Sequence, residues 1–413
     1  KEYRLSAKST ALEYAGEHIG GALWQYFEGR GDAERALAAM KDASRYTRGH
    51  LSRDAVRALY GGAVTLSASR MDMARSCHFA YFMRYGLKAR ERTGAGFDAP
   101  QIGTFVHDVM EHTLRQAKEC GGLHTLSKEK LHALVRASIE EYIDRVLPDL
   151  CEKSARFRYL FNRLCATVER IMDEVSEELQ SSDFEPLAFE LEFGADGQLP
   201  AITIREENGT ARVVGKVDRV DGWLHDGKLY LRVVDYKTGK KSFDLAELRY
   251  GLGLQMLLYL FTLKEEGQML FGGHEIVPAG VLYTPAREPM LRCARDTEPE
   301  KIEKALKKEL RRSGMVLEDP AVLQAMEHSA LESPCYLPIA VKRDGAVTGS
   351  LASAEQLGKL SKYVDHILHE ITQEVFAGNI DADPYARTPQ QSACTYCEFC
   401  LLYTSDAADE ARS

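Results

Sequence analysis

Two apolar runs that end in carboxylates and are joined by Asp226-Gly227 constrain this chain more than any other feature. They read Val213-Val214-Gly215-Lys216-Val217-Asp218-Arg219-Val220-Asp221 and Leu229-Tyr230-Leu231-Arg232-Val233-Val234-Asp235-Tyr236-Lys237-Thr238-Gly239. Asp-Gly favours a two-residue hairpin turn because both positions need positive φ. Such a turn pairs residues whose numbers sum to 453, which sets Asp218 opposite Asp235. Opposed residues have Cβ atoms about 5 Å apart, and unneutralised like charges there are destabilising. A divalent cation between them removes the conflict. Lys237, two residues beyond Asp235, returns to the same face by strand alternation. A bulge near Gly222 would shift this register. The bland reading makes Asp218 and Asp235 solvent-facing strand residues with Lys237 as their salt-bridge partner. Against it, Asp is depleted in strands and both carboxylates follow strongly apolar runs.

The 413 residues, 45% hydrophobic, can bury a substantial core, and the length suggests two or three domains. No uninterrupted apolar run approaches the roughly 18 residues of a membrane span. The formal charge of −9 argues against a globally basic DNA-coating protein, although an enzyme can bind DNA through a local patch. Nine cysteines, mostly isolated in apolar or helical surroundings, do not resemble a secreted disulfide framework and point to a reducing, cytoplasmic compartment. The chain opens at Lys1 within helical-looking sequence, so a piece of a longer protein is expected.

Residues 1 to about 66 read as all-helical and Ala-rich. Ser67 or Ser69 is placed to cap a helix containing Met71, Ala74 and Cys77. Helical sequence runs from Gln101 to about Leu179, with Ile102, Val106, Val109, Met110 and Leu114 marking one buried face. From Pro186 the period shifts towards two, predicting strands over Leu187–Phe193, Arg212–Val220 and Leu229–Val234. A helix around Leu245–Leu263, a strand at Ile276–Tyr283 and charged helical sequence over Glu298–Gln324 and Ala354–Ala377 complete the pattern. Helices flanking a short mixed sheet define an α/β core with helical additions.

Asp218 followed by Asp235-Tyr236-Lys237 resembles the PD-(D/E)xK nuclease core, in the variant of RecB-type exonucleases. Gly103-Thr104-Phe105-Val106-His107 is similar to the helical motif whose His ligates metal in that family, and Gln255-Met256-Leu257-Leu258-Tyr259 to its Q-x-x-x-Y helix. Ser67-Ala68-Ser69-Arg70, Cys77-His78-Phe79-Ala80-Tyr81-Phe82 and Tyr85-Gly86-Leu87 resemble the opening of the nuclease domain in the AddB family, B subunits of bacterial helicase–nucleases that process double-strand DNA breaks. The likeness covers about 67 to 399 and implies a restriction-endonuclease-like mixed-sheet core with extensive helical additions. It implies that residues 1–66 are the helical end of a helicase-like region. A deoxyribonuclease of exonuclease type follows, with DNA as substrate, a second helicase–nuclease subunit (AddA-like) as partner and no membrane. No G-x-x-x-x-G-K-[ST] motif occurs, so any ATP-driven motor lies elsewhere.

On this resemblance, Asp218, Asp235, the Tyr236 carbonyl and His107 are metal ligands for Mg²⁺ or Mn²⁺, the His nitrogen favouring Mn²⁺. Lys237 orients the attacking water and offsets charge on the phosphate, while Gln255 and Tyr259 position the nucleic acid. Lys240 and Lys241 either contact backbone phosphates or form a solvated loop. Glu111, one turn after His107, reads as a surface acid.

Cys394-Thr395-Tyr396-Cys397 is a C-x₂-C pair that suits zinc, an iron–sulfur cluster or redox chemistry. AddB-type domains hold a four-iron cluster through one Cys before the nuclease core and three after it, an arrangement that Cys77, Cys394 and Cys397 match. The family's last Cys falls where this chain has Tyr403, and Cys400 arrives three residues early. The segment from Cys400 to Glu410 resembles a translated sequencing adapter, so residues 400–413 are expected to be a non-native tail and the cluster incomplete. Two other readings stay open: an inert DNA-binding scaffold of the same fold, and a redox protein built on the cysteines.

Overall fold

Asp226 and Gly227 take φ of 48° and 75°, the left-handed pair that the hairpin turn requires. The protein is described by a computed structural model over residues 7–44, 49–90, 99–194, 196–294, 297–388 and 390–400. From the turn, strands Gly215–His225 and Lys228–Lys237 pair antiparallel through seven rungs, from His225↔Lys228 to Arg219↔Val234, all in the register that sums to 453. No bulge interrupts this ladder at Gly222, which faces Leu231.

The hairpin lies inside a six-stranded mixed sheet. Its order is Leu351–Ala352, Ser313–Leu317, Glu275–Pro285, Lys228–Lys237, Gly215–His225, Glu185–Phe193. The Lys228–Lys237 and Glu275–Pro285 strands run parallel, joined through the Gln255–Glu266 helix that packs on both. Met256 to Leu263 of that helix are buried all round, as expected of a helix sealed between a sheet and a second helical layer. The second layer is the Ala354–Ala377 helix, begun by a Ser353/Gln356 capping box and ended by Gly378 at φ 78°. Helices Ala99–Glu119, Lys128–Val146 and Ala155–Gln180 pack on one another and join the same core.

Four features depart from the sequence reading. The run Arg212–Val220 is two strands in two sheets: Gly209–Val213 joins Ala63–Leu66 and Ile202–Glu206, and the chain breaks at Val214 before the hairpin begins. Gly215 is required there, since a Cβ would sit 2.5 Å from both the Phe193 and Tyr259 rings. Ala63–Leu66 is a strand parallel to Gly209–Val213, where all-helical sequence was expected. The Leu245–Leu263 helix is instead a short Leu245–Leu248 turn and the Gln255–Glu266 helix, separated by Gly251 and Gly253 at φ 76° and 68°. The Glu298–Gln324 segment contains the strand Ser313–Leu317 between two helices.

Helices Lys8–Glu17, Ala22–Phe27 and Gly31–Ser44 close a small core of their own around Trp24, Phe27 and Leu37. His50 to Leu66 pack with the sheet-bearing unit: Leu51 N–H donates to Gly378 O at 2.8 Å, and the strand Ala63–Leu66 joins its second sheet. Residues 401–413, most of the expected tail, lie outside the described residues.

Candidate active site

The hairpin ladder ends one rung short of the carboxylates. Beyond Arg219↔Val234 the Tyr236 N–H is taken by Asp218 Oδ2 at 2.9 Å, a side chain doing what the next strand would otherwise do. The Asp218 and Asp235 side chains are only 10% and 5% exposed, so little water screens them. Lys237 Nζ lies 2.7 Å from Asp235 Oδ2, on the same face as alternation requires. Burial, then repulsion from Asp218, pushes the Asp235 carboxyl up to about 6 against the pull of Lys237.

His107 comes from the Ala99–Glu119 helix, whose Val106, Val109 and Met110 are fully buried and fix its rotation. Its Nε2 donates to the Tyr236 carbonyl at 2.9 Å and its Nδ1 lies 3.4 Å from Asp218 Oδ1. Burial alone would lower the imidazole's pKa, but Asp218, the Tyr236 carbonyl and Asp235 outweigh it and raise it to about 9. Gln255 opens the buried central helix and turns inward: its Nε2 is 3.4 Å from Asp235 Oδ1 and 3.3 Å from the Tyr259 hydroxyl. The loop before Gln255 is gripped by the Ala68–Ser76 helix, where Asp72 Oδ1 accepts from Gly253 N–H at 2.9 Å and Arg75 Nε donates to Tyr250 O at 3.0 Å.

One acid escaped the sequence reading. Glu190 lies in the Glu185–Phe193 strand, between rungs Phe189↔Arg219 and Leu191↔Val217, which places it beside Asp218 on the strand opposite Asp235. It holds φ 48°, a left-handed conformation unusual for a non-glycine strand residue, and ion-pairs with Lys216 at 2.5 Å. Burial first, then Asp218, raise its carboxyl above the usual range. Among the described residues, His107, Glu190 and Asp218 form a group whose ligand atoms all lie within 4.8 Å of one another. Its sequence signal was faint: an acid alternating with buried Phe189, Leu191 and Phe193, with no clue to the pairing.

One nitrogen and several carboxylate oxygens, crowded at low exposure, form a donor set that fits a hard or borderline divalent cation. Glu111 pairs with Arg115 at 2.8 Å and is not among these donors. Lys240 reaches Glu309 at 3.1 Å.

Cys77, at the far end of the Ala68–Ser76 helix, meets the segment that carries Cys394, Cys397 and Cys400. Cys77 packs with Phe399 and Cys397, and its thiol is pushed up first by burial. Cys400 turns back on Cys397, its N–H 3.4 Å from Cys397 O, and contact with the Cys394 thiol comes first in pushing its own up to about 12. Protein contacts also dock the C-terminal segment on both sides of Cys77: Arg84, after it, pairs with Glu398 at 3.0 Å, and Tyr385 N–H donates to Ser76 O, before it, at 2.7 Å.

A mixed sheet with paired carboxylates and a lysine at the parting of two central strands is the architecture of a metal-assisted nuclease. The chain belongs to the PD-(D/E)XK nuclease superfamily, whose family model matches residues 65–400. It is 31% identical to a protein of Ruminiclostridium cellulolyticum named as the B subunit of an ATP-dependent helicase/deoxyribonuclease, over 95% of this chain and 35% of that one. Proteins of the same name from Acetivibrio thermocellus and Clostridium botulinum (strain Loch Maree) are 33% and 32% identical, over 92% and 83% of this chain and 33% and 30% of theirs. The chain spans about a third of the length of the curated relatives it matches. Among the described residues no helix is long and apolar enough to cross a membrane.

Proposed function

We propose that this chain hydrolyses phosphodiester bonds in DNA as the nuclease part of an AddB-type helicase–nuclease chain that acts on double-strand breaks with an AddA-like partner in the cytoplasm. The observation that carries this reading is the row Glu190, Asp218, Asp235 across three adjacent strands, with His107 above it and Lys237 beside it. His107, Asp218, Asp235 and the Tyr236 carbonyl are the ligands for Mg²⁺ or Mn²⁺, with Glu190 added by the geometry. A bound cation supplies Lewis acidity to the phosphate and lowers the pKa of water. Lys237, held by Asp235, points its ammonium where a water or phosphate oxygen meets the carboxylates. Gln255 braces Asp235 through one amide hydrogen, and with Tyr259 faces the groove through which a strand approaches. Asp235→Ala should abolish Mg²⁺-dependent cleavage of linear DNA while the circular dichroism and melting temperature hold. Cleavage by the purified variant at the wild-type rate would sink this site.

The proposed domain division narrows the helicase-like end from residues 1–66 to the three N-terminal helices, since His50 to Leu66 pack with the sheet-bearing unit, the proposed nuclease domain. For the cysteines we propose a four-iron cluster site on Cys77, Cys394 and Cys397 that is incomplete in this chain, because Cys400 does not stand where the family's fourth cysteine falls. Anaerobic reconstitution should give substoichiometric iron and sulfide. Four irons per chain, lost on Cys400→Ser, would make Cys400 a true ligand and the family's longer spacing dispensable.

A further inference from the structure

The catalytic row does not stop at Lys237. After Gly239 the chain carries Lys240 and Lys241 over the ends of the Glu275–Pro285 and Ser313–Leu317 strands, and a cavity of about 280 Å³ lies beneath. Lys237, Lys240, Lys241, Arg287 and Arg311 line it, and Glu309 is the acid among its lining residues. Lys240 and Arg287 share that acid, at 3.1 and 2.8 Å. The cavity is therefore strongly cationic in a chain whose formal charge is −9. Ser313 adds a hydroxyl, its oxygen accepting from Phe243 N–H at 2.8 Å while its proton remains to donate.

Position matters as much as charge. Lys237 belongs both to this cavity and to the carboxylate row. On the other side of the row a groove of about 630 Å³ opens past Lys216, Gln255 and Tyr259. A strand whose scissile phosphate sits at Asp218 and Asp235 thus has the groove on one side and the cationic cavity on the other.

We propose that this cavity is a second phosphate subsite, which holds a phosphodiester of the DNA strand next to the one being cut. The proposal rests on the nuclease reading above. A phosphodiester offers one negative charge and two free oxygens, matched by lysine point charges and the arginine fork. Such contacts fix the strand's position without reading its bases.

The test is equilibrium binding of a fluorescein-labelled dT strand of about twelve nucleotides in EDTA, where no cleavage occurs. Lys240→Ala/Lys241→Ala is compared with the wild type and with Lys128→Ala/Lys130→Ala, a double variant of equal charge change on the Lys128–Val146 helix. Lys240 and Lys241 are exposed, so the fold should persist. Loss of this one phosphate contact should weaken binding about tenfold at low salt and make the slope of log K against log salt shallower by about 0.7. The distant pair should leave the slope unchanged, and a dT strand with a neutral methylphosphonate backbone should bind all three proteins equally. An unchanged slope in Lys240→Ala/Lys241→Ala, or equal changes in both double variants, would overturn the subsite. Because binding is read without metal, an intact slope difference in a protein that cuts no DNA would count against the nuclease reading alone.

Discussion

The two faces of one hairpin hold charge in opposite ways. On the face turned to the Ala155–Gln180 helix, Arg219, Asp221, Arg232, Glu178 and Arg312 alternate in sign, all at most 3% exposed. Asp221 bonds both Arg219 and Arg232, and Glu178 reaches Arg232 at 3.5 Å and Arg312 at 2.6 Å. Every charge there has an opposite neighbour within the protein. On the other face Glu190, Asp218 and Asp235 crowd together with Lys237 and His107, and the Asp235 carboxyl is pushed up to about 6. The first arrangement seals its paired charges from solvent and is structural; the second sets like charges side by side, raises one carboxyl and is the candidate site.

The largest expected effect comes from breaking the self-satisfied face. Arg232→Ala takes from Asp221 and from Glu178 one of the two arginines that each contacts and breaks two buried ion pairs, which should cost about 3–5 kcal/mol. On the other face Asp235→Asn removes one like charge, so stability should hold or rise while cleavage is lost. Urea unfolding of both variants, read by fluorescence, measures the contrast; equal destabilisation would show that the two faces do not differ in kind.

The same contrast should appear with pH. Burial raises the Glu178 carboxyl, but Arg312 and Arg232 outweigh it and hold it at about 2, well below its ordinary 4.5. The stability it contributes is fully present above about 4.5 and is lost as pH falls towards 2, on the order of 3 kcal/mol. Asp235 has the opposite sign. Its folded value of about 6 exceeds 3.8, so without metal it takes stability away as pH rises between those values, on the order of 3 kcal/mol. The stability difference between Asp235→Asn and wild type in EDTA should therefore grow from pH 4 to 6. A difference that is flat across that window would contradict the assigned repulsion.

Only one of these faces was legible in the sequence. Asp-Gly needs two left-handed residues, so the turn and its register followed from local chemistry, and with them the Asp218, Asp235 and Lys237 face. His107 was found through a resemblance and not through periodicity, and Glu190 not at all, because its place depends on a strand pairing with no turn to announce it. The buried arginines were invisible for the same reason: Glu178 reaches Arg232, and Arg312 reaches Glu178, from distant segments. The break at Val214-Gly215 was hidden in an unbroken apolar run, since its cause is the approach of Phe193 and Tyr259 from elsewhere.

The two faces meet at one residue, and the smallest predicted effect lies there. Tyr236 directs its ring to the arginine side, where its hydroxyl accepts from Arg219 Nη1 at 2.7 Å, and its carbonyl to His107 on the other. If the faces are independent, Tyr236→Phe should remove one hydrogen bond at a cost of about 1 kcal/mol, since Arg219 keeps its contacts to Asp221. The carbonyl would stay, so Mn²⁺ affinity by calorimetry and the cleavage rate should remain within about threefold of wild type. A loss of Mn²⁺ affinity of tenfold or more, with the fold intact, would show instead that the buried arginine chain sets the position of the metal ligand. The self-satisfied face would then be part of the site it lies beneath.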